Sequence, residues 1–213
     1  MIDVNQTEYR SYGGQDFRAI ESAPDVKFIS GHAAVFNQRT NVSNCFWEVI
    51  DAGAFDATDF RDVPLMVNHD FSKIPLARSR RNNGNSTLRL SVDEVGLAIE
   101  AKLDVDNNTD ARALYSAVER GDLEGMSFAF VVDGEEWTDL ETEMPTRRIK
   151  SISRVYEVSA CTFPQYDNTD IHTRAANALE SARKAVETAR RQSVDTDSEI
   201  ELYRLKNRIL GST

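Results

Sequence analysis

From Lys27 to Phe163 the apolar residues fall mostly in short runs that alternate with polar ones, and only over Asn108–Arg120 does their spacing lengthen to three and four. Strand side chains point alternately to two faces, whereas helical ones return after 3.6 residues, so this pattern demands a mainly β fold with an internal helix. Lys27–Phe36 reads as a first strand, Trp47–Ile50 as a second and Pro64–Val67 as a short buried one. The turn signal Asn82-Asn83-Gly84-Asn85 precedes two alternating runs, Thr87–Val92 and Gly96–Leu103, which Asp93-Glu94 joins as a hairpin. The helical stretch places Ala111, Leu114, Tyr115 and Val118 on one face, with Asn108 or Thr109 as its cap and Gly121 as its stop. Strands resume over Gly125–Val132, Glu135–Thr138 and Arg147–Phe163. A further short helix is predicted from Gly53 to Phe60, with Asp51 capping its free amide hydrogens. By pattern the core is an antiparallel barrel or sandwich.

The flanks differ from this core. Residues 1–26 are polar and irregular and read as a flexible arm, followed by a strand domain over 27–169. In residues 170–213 Leu179, Ala182, Val186 and Ala189, and later Leu202, Leu205 and Ile209, fall at helical spacing, so this stretch reads as a loosely attached helical tail. The polar link Gln192–Ser198 divides it.

The net charge of −10 argues against nucleic-acid binding, which needs a clustered basic face. The first residues lack the basic flank and apolar run of a signal peptide, and no stretch approaches the roughly 20 apolar residues that cross a bilayer. Cys45 and Cys161 are therefore expected to be free thiols of a cytosolic protein with no membrane contact. The two cysteines stand 116 positions apart among only three histidines, which gives no metal-site spacing, and no glycine-rich phosphate loop is present. Neither a metal nor another cofactor is expected.

The side chains suited to chemistry are few. Ser127 lies in Gly125-Met126-Ser127-Phe128-Ala129-Phe130, where alternation sets Met126, Phe128 and Phe130 on one face and Ser127 with Ala129 on the other. It is either a packing serine or a nucleophile with room above it for a carbonyl. His69, in Asn68-His69-Asp70 after an apolar strand, is either a hydrogen-bonded turn residue or a general base. His32 looks structural and His172 solvated. Glu157 stands out in Val155-Tyr156-Glu157-Val158-Ser159-Ala160-Cys161, because a carboxylate in an otherwise apolar strand is costly to bury unless paired. Its partner is a histidine needing orientation or an arginine such as Arg78 or Arg154. Asp70 and Asp167 are weaker candidates for that role, and Cys161 is a remote alternative nucleophile, since reactive thiols need an accessible, electropositive setting.

The order Gly31-His32-Ala33-Ala34-Val35-Phe36, Glu48-Val49-Ile50 with Gly53-Ala54-Phe55, Asn68-His69-Asp70, Gly125–Phe130, and Glu157-Val158-Ser159 with Thr162-Phe163-Pro164 resembles the HK97-type prohead (capsid maturation) serine proteases of tailed bacteriophages. The resemblance spans about residues 27–170. It implies a fold similar to the herpesvirus assembly proteases, a closed β-barrel surrounded by helices, and an endopeptidase that removes scaffold segments inside the immature capsid and processes itself. It implies a major capsid or scaffold protein as substrate, a homodimer by analogy, and a place in the host cytoplasm within the prohead. Carried over by motif, the family's histidine falls on His69 and its serine on Ser127. The third member falls on Glu157, with His172 as the alternative. The polar link Gln192–Ser198 is then a candidate for self-cleavage. A non-catalytic assembly scaffold or chaperone on the same fold is the rival reading. A general esterase fits less well, because the second glycine of Gly-x-Ser-x-Gly is absent.

Overall fold

A computed structural model describes residues 6–13, 16–23, 26–162 and 175–188. In chain order the elements are β1 (Glu8–Gly13), β2 (Arg18–Ala23), β3 (Val26–Val35), β4 (Thr40–Val42), β5 (Phe46–Ile50), β6 (Val63–Val67), β7 (Ala77–Ser79), β8 (Leu88–Val92), β9 (Gly96–Leu103), α1 (Thr109–Glu119), β10 (Gly125–Thr138) and β11 (Thr146–Cys161). A second helix, α2, spans residues 175–188.

The strands form two sheets. One has seven strands in the order β1-β10-β11-β5-β4, with β6 also paired to β11 and β7 paired to β6. The other has four, β2-β3-β9-β8. Apolar side chains of both share one core, in which Ile29, Leu88 and Leu97 of the smaller sheet meet Ile50, Leu65, Phe128, Phe130 and Ile149 of the larger. Phe128 and Phe130 stack with ring centroids 4.3 Å apart. Consecutive even positions of β10 thus line the core, as the alternation requires.

The mainly β reading with few helices holds, but the expected closed antiparallel barrel does not. Among the described residues neither sheet closes, and β11 pairs in parallel with both β5 and β6. The 16 residues of β11 make this possible, because β5 and β6 dock along different stretches of the same strand. The expected helix over Gly53–Phe60 is also absent: turns replace it, and Gly53 has φ of 91°. The backbone there is drawn to β11 instead, with Ile152 N–H donating to Ala54 O and Asp59 N–H to Ser153 O. Asp51 does not cap a helix through its carboxylate, which takes Arg148 and Lys150.

Helix α1 matches its sequence signal, with Asn108 as the cap, its side chain accepting from the Asp110 and Ala111 N–H groups, and Ala111, Leu114, Tyr115 and Val118 buried. Gly121 follows in the left-handed region with φ of 74°. The segment read as a flexible arm contains two strands, β1 and β2. In α2, Ala175 and Leu179 pack against Val42 and Phe46, so this part of the tail is docked on β4 and β5. Arg183 donates to the Leu140 and Thr142 carbonyls beside it. Asp167, His172 and the link Gln192–Ser198 lie outside the described residues.

Candidate active site

The site is built where β6 ends against β11. Asn68 and His69 both adopt left-handed conformations, with φ of 51° and 58°. Asn tolerates this region because its short side chain bonds locally, whereas a histidine there is held by its surroundings. Asn68 supplies that hold: its backbone N–H donates to Ala160 O, its side-chain oxygen accepts the Thr162 N–H at 3.0 Å, and its amide donates to the Thr162 hydroxyl. The turn is stapled to the end of β11, and the His69 ring is turned over that strand.

Glu157, Ser159 and Cys161 alternate along one face of β11 and meet this ring. Glu157 Oε1 lies 2.5 Å from His69 Nδ1, and the carboxylate is fully buried. The Ser159 hydroxyl donates to Glu157 Oε2 at 2.6 Å and accepts the His69 backbone N–H at 3.1 Å. Imidazole, carboxylate, hydroxyl and backbone therefore close a ring of hydrogen bonds that fixes the histidine's orientation. Nδ1 faces the carboxylate, leaving Nε2 to face Cys161 Sγ at 4.0 Å. Burial alone would lower the His69 pKa, but the hydrogen bonds to Cys161 and Glu157 and the negative charge of Glu157 outweigh it and raise it to about 9.

Ser127 occupies the neighbouring strand at the matching height. It is the cross-strand partner of Ser159 in the β10–β11 ladder, and Ala129 is that of Glu157. Opposite residues in an antiparallel pair share a face, so Ser127 belongs to the face that carries Glu157, Ser159 and Cys161. Its hydroxyl is fully buried and donates to the Arg10 carbonyl of β1 at 2.8 Å, not to His69. Tyr9, also of β1, sets its ring edge-on to His69 with centroids 4.8 Å apart.

The other candidates fall elsewhere. The Asp70 carboxylate accepts from Ser72, its own turn. Arg78 pairs with Asp62, and Arg154 lies 4.0 Å from Asp59 and over the Tyr156 ring. Glu157 has no arginine partner among the described residues. His32 is held between Asp16 and Asp93. Neither cysteine is in a disulfide.

Two features escaped the sequence reading. Ser159 was visible only as a neighbour of Glu157 on the same face. The second is a buried ion cluster on the opposite face of β1 and β10, where Arg10 places Nε 2.6 Å and Nη2 2.8 Å from the two Glu48 oxygens. Arg147 completes it with contacts to Glu48, Glu8 and Glu135. The signal was present in Phe46-Trp47-Glu48-Val49-Ile50, where a carboxylate interrupts an apolar strand as Glu157 does.

Residues 15–184 match the family described as caudovirus prohead serine protease. The chain is 31% identical over 169 residues to the prohead protease of Enterobacteria phage HK97, which covers 77% of this chain and 67% of that protein. Among solved structures it is similar to the bacteriophage T4 capsid assembly protease, with a TM-score of 0.44 and 10% identity over 73% of this chain and 97% of the other. On the extent of the family match and the identity to the phage HK97 enzyme, the chain belongs to the caudovirus prohead serine proteases and has the role of a prohead maturation protease.

Proposed function

We propose that the chain is a serine endopeptidase that cuts capsid or scaffold protein within the immature capsid, with Ser127 as nucleophile, His69 as base and Glu157 as the group that orients the base. The observation that carries this reading is the pairing of a fully buried carboxylate with His69 Nδ1, one strand away from a serine in cross-strand register. In this reading His69 takes the Ser127 proton through Nε2 as the hydroxyl attacks the scissile carbonyl, and returns it to the leaving amine. Glu157 fixes the tautomer with Nδ1 protonated and stabilises the imidazolium that forms. Water then releases the acyl group by the same exchange.

The proximity of Cys161 to Nε2 supports a second reading, a thiol nucleophile. Its position is buried at the end of β11, and its approach to Nε2 is a contact of 4.0 Å. Co-expression with a cognate capsid protein decides between them. Shortening of the capsid protein by wild type and by Cys161→Ala, but not by Ser127→Ala or His69→Ala, supports the serine. Loss of cleavage in Cys161→Ala with retention in Ser127→Ala overturns it. Retention in all three variants overturns the assignment of the catalytic residues.

A further inference from the structure

The turn that carries His69 has other side chains that the mechanism does not use. Residues 68–76 connect β6 to β7, with His69 near their start. Two of the five large apolar side chains exposed among the described residues lie on this connection, Phe71 at 47% and Ile74 at 81%. The others flank the β8–β9 turn, as Val92 and Val95, or lie on α2, as Val186. Apolar surface held in water contributes nothing to the fold, and a patch of it beside a reactive group marks a contact to be made.

The connection is fastened along its length. Its start is tied to β11 through Asn68 and the His69 backbone N–H. The Asp70 carboxylate accepts from both the backbone N–H and the hydroxyl of Ser72, and Lys73 N–H donates to Asp70 O. At the far end Leu76 N–H donates to Leu65 O, and the Leu76 side chain packs against the core. Phe71 N–H donates to the His69 carbonyl, so the backbone itself sets the aromatic residue beside the base. A turn braced in this way presents its apolar side chains without the entropy cost of ordering a loose loop.

Successive Cα atoms are about 3.8 Å apart, so the Phe71 Cα lies within about 8 Å of that of His69. An extended polypeptide advances about 3.3 Å per residue. A chain whose scissile bond is at His69 therefore brings a side chain within about three positions of the cut alongside Phe71, and Ile74 lies further along the same connection. A second copy, or any other lasting partner seated on Phe71, would crowd the base that a prohead protease must open to polypeptide.

We propose that Phe71 and Ile74 form an apolar lip that takes a large aliphatic or aromatic side chain of the substrate close to the scissile bond. This rests on the reading of His69 as the base. In the test a cognate capsid protein is co-expressed with the full-length chain, and the cut is placed by mass spectrometry of the products. Each large apolar residue within about three positions of the cut is then changed to Ser. One such change is expected to slow cleavage by wild type about tenfold, but cleavage by Phe71→Ser or Ile74→Ser by no more than about twofold, because the surface that read the side chain is gone. Phe71→Leu, which keeps an apolar side chain, is expected to retain most of the wild-type preference. An equal cost of the substrate change in wild type and both variants overturns the lip, as does a cut with no large apolar residue near it. Should Phe71→Ser not fold, Ile74→Ser, at the more exposed position, decides alone. Loss of self-association in the variants with unaltered substrate preference overturns the lip in favour of a second copy. Cleavage by His69→Ala overturns the reading of the base, and the lip with it.

Discussion

The Glu157 carboxylate holds His69 from two directions, directly through Oε1 at 2.5 Å from Nδ1, and through Oε2, which takes the hydroxyl of Ser159 whose oxygen accepts the His69 backbone N–H. Removing the charge while keeping the shape therefore separates orientation from packing. Glu157→Gln is expected to lower kcat by about 10²–10⁴-fold, because the amide favours the wrong tautomer of the base. The His69 titration, followed by NMR at the ring Hε1, is expected to fall below its value of about 9, as burial continues to oppose the charged ring and the opposing carboxylate is gone. An unchanged titration midpoint excludes Glu157 as the group that raises it.

The same pairing makes stability depend on pH in a stated direction. The His69 pKa rises from an ordinary 6.5 in the unfolded chain to about 9 in the fold. Its contribution is then fully present below about pH 6.5 and is lost as pH rises through 9, by up to about 3 kcal/mol. Urea midpoints measured across this range are expected to decline in wild type and to decline less in Glu157→Gln, where Cys161 still faces the ring. Parallel curves for the two proteins contradict the linkage.

Ser159 acts on the chemistry only through its neighbours and is a positioning residue. Ser159→Ala leaves a buried carboxylate oxygen and the His69 N–H without their shared partner, which costs about 1–3 kcal/mol. Turnover is expected to fall by less than in Glu157→Gln, and the pH profile of kcat/KM is expected to shift. A loss of stability with an unmoved pH profile reduces Ser159 to a packing role.

What was legible in the chain follows from how local each determinant is. The β8–β9 hairpin and α1 were readable because turn residues, alternation and a cap all lie within a few positions of one another. Strand β1 was not, because Glu8 and Arg10 look solvated until Glu48 and Arg147 are brought beside them from 38 or more positions away. The turns that replace the expected helix at Gly53–Phe60 follow from backbone bonds to Ile152 and Ser153, again beyond any local window. Likewise, a run of strands does not disclose that β11 pairs in parallel with β5 and β6, and the barrel expectation failed there. At the site, Glu157 was conspicuous because a charge in an apolar strand needs a reason. Ser159 carried no such mark, since a serine in a strand is ordinary.

The anchoring of β1 is expected to weaken in acid. Burial alone would raise the Glu8 pKa, but Arg10 and Arg147 hold the carboxyl down to about 2, against 4.5 in the unfolded chain. A group depressed in this way stabilises the fold above about pH 4.5, and that contribution disappears as pH falls toward 2. Glu8→Gln removes the titrating group while leaving Glu48 to both arginines. Thermal midpoints of wild type are therefore expected to exceed those of Glu8→Gln near neutral pH and to converge with them as pH approaches 2. A constant gap across the acid range shows that Glu8 does not titrate against the arginines, and that the hold on β1 comes from Arg10 and Glu48 alone.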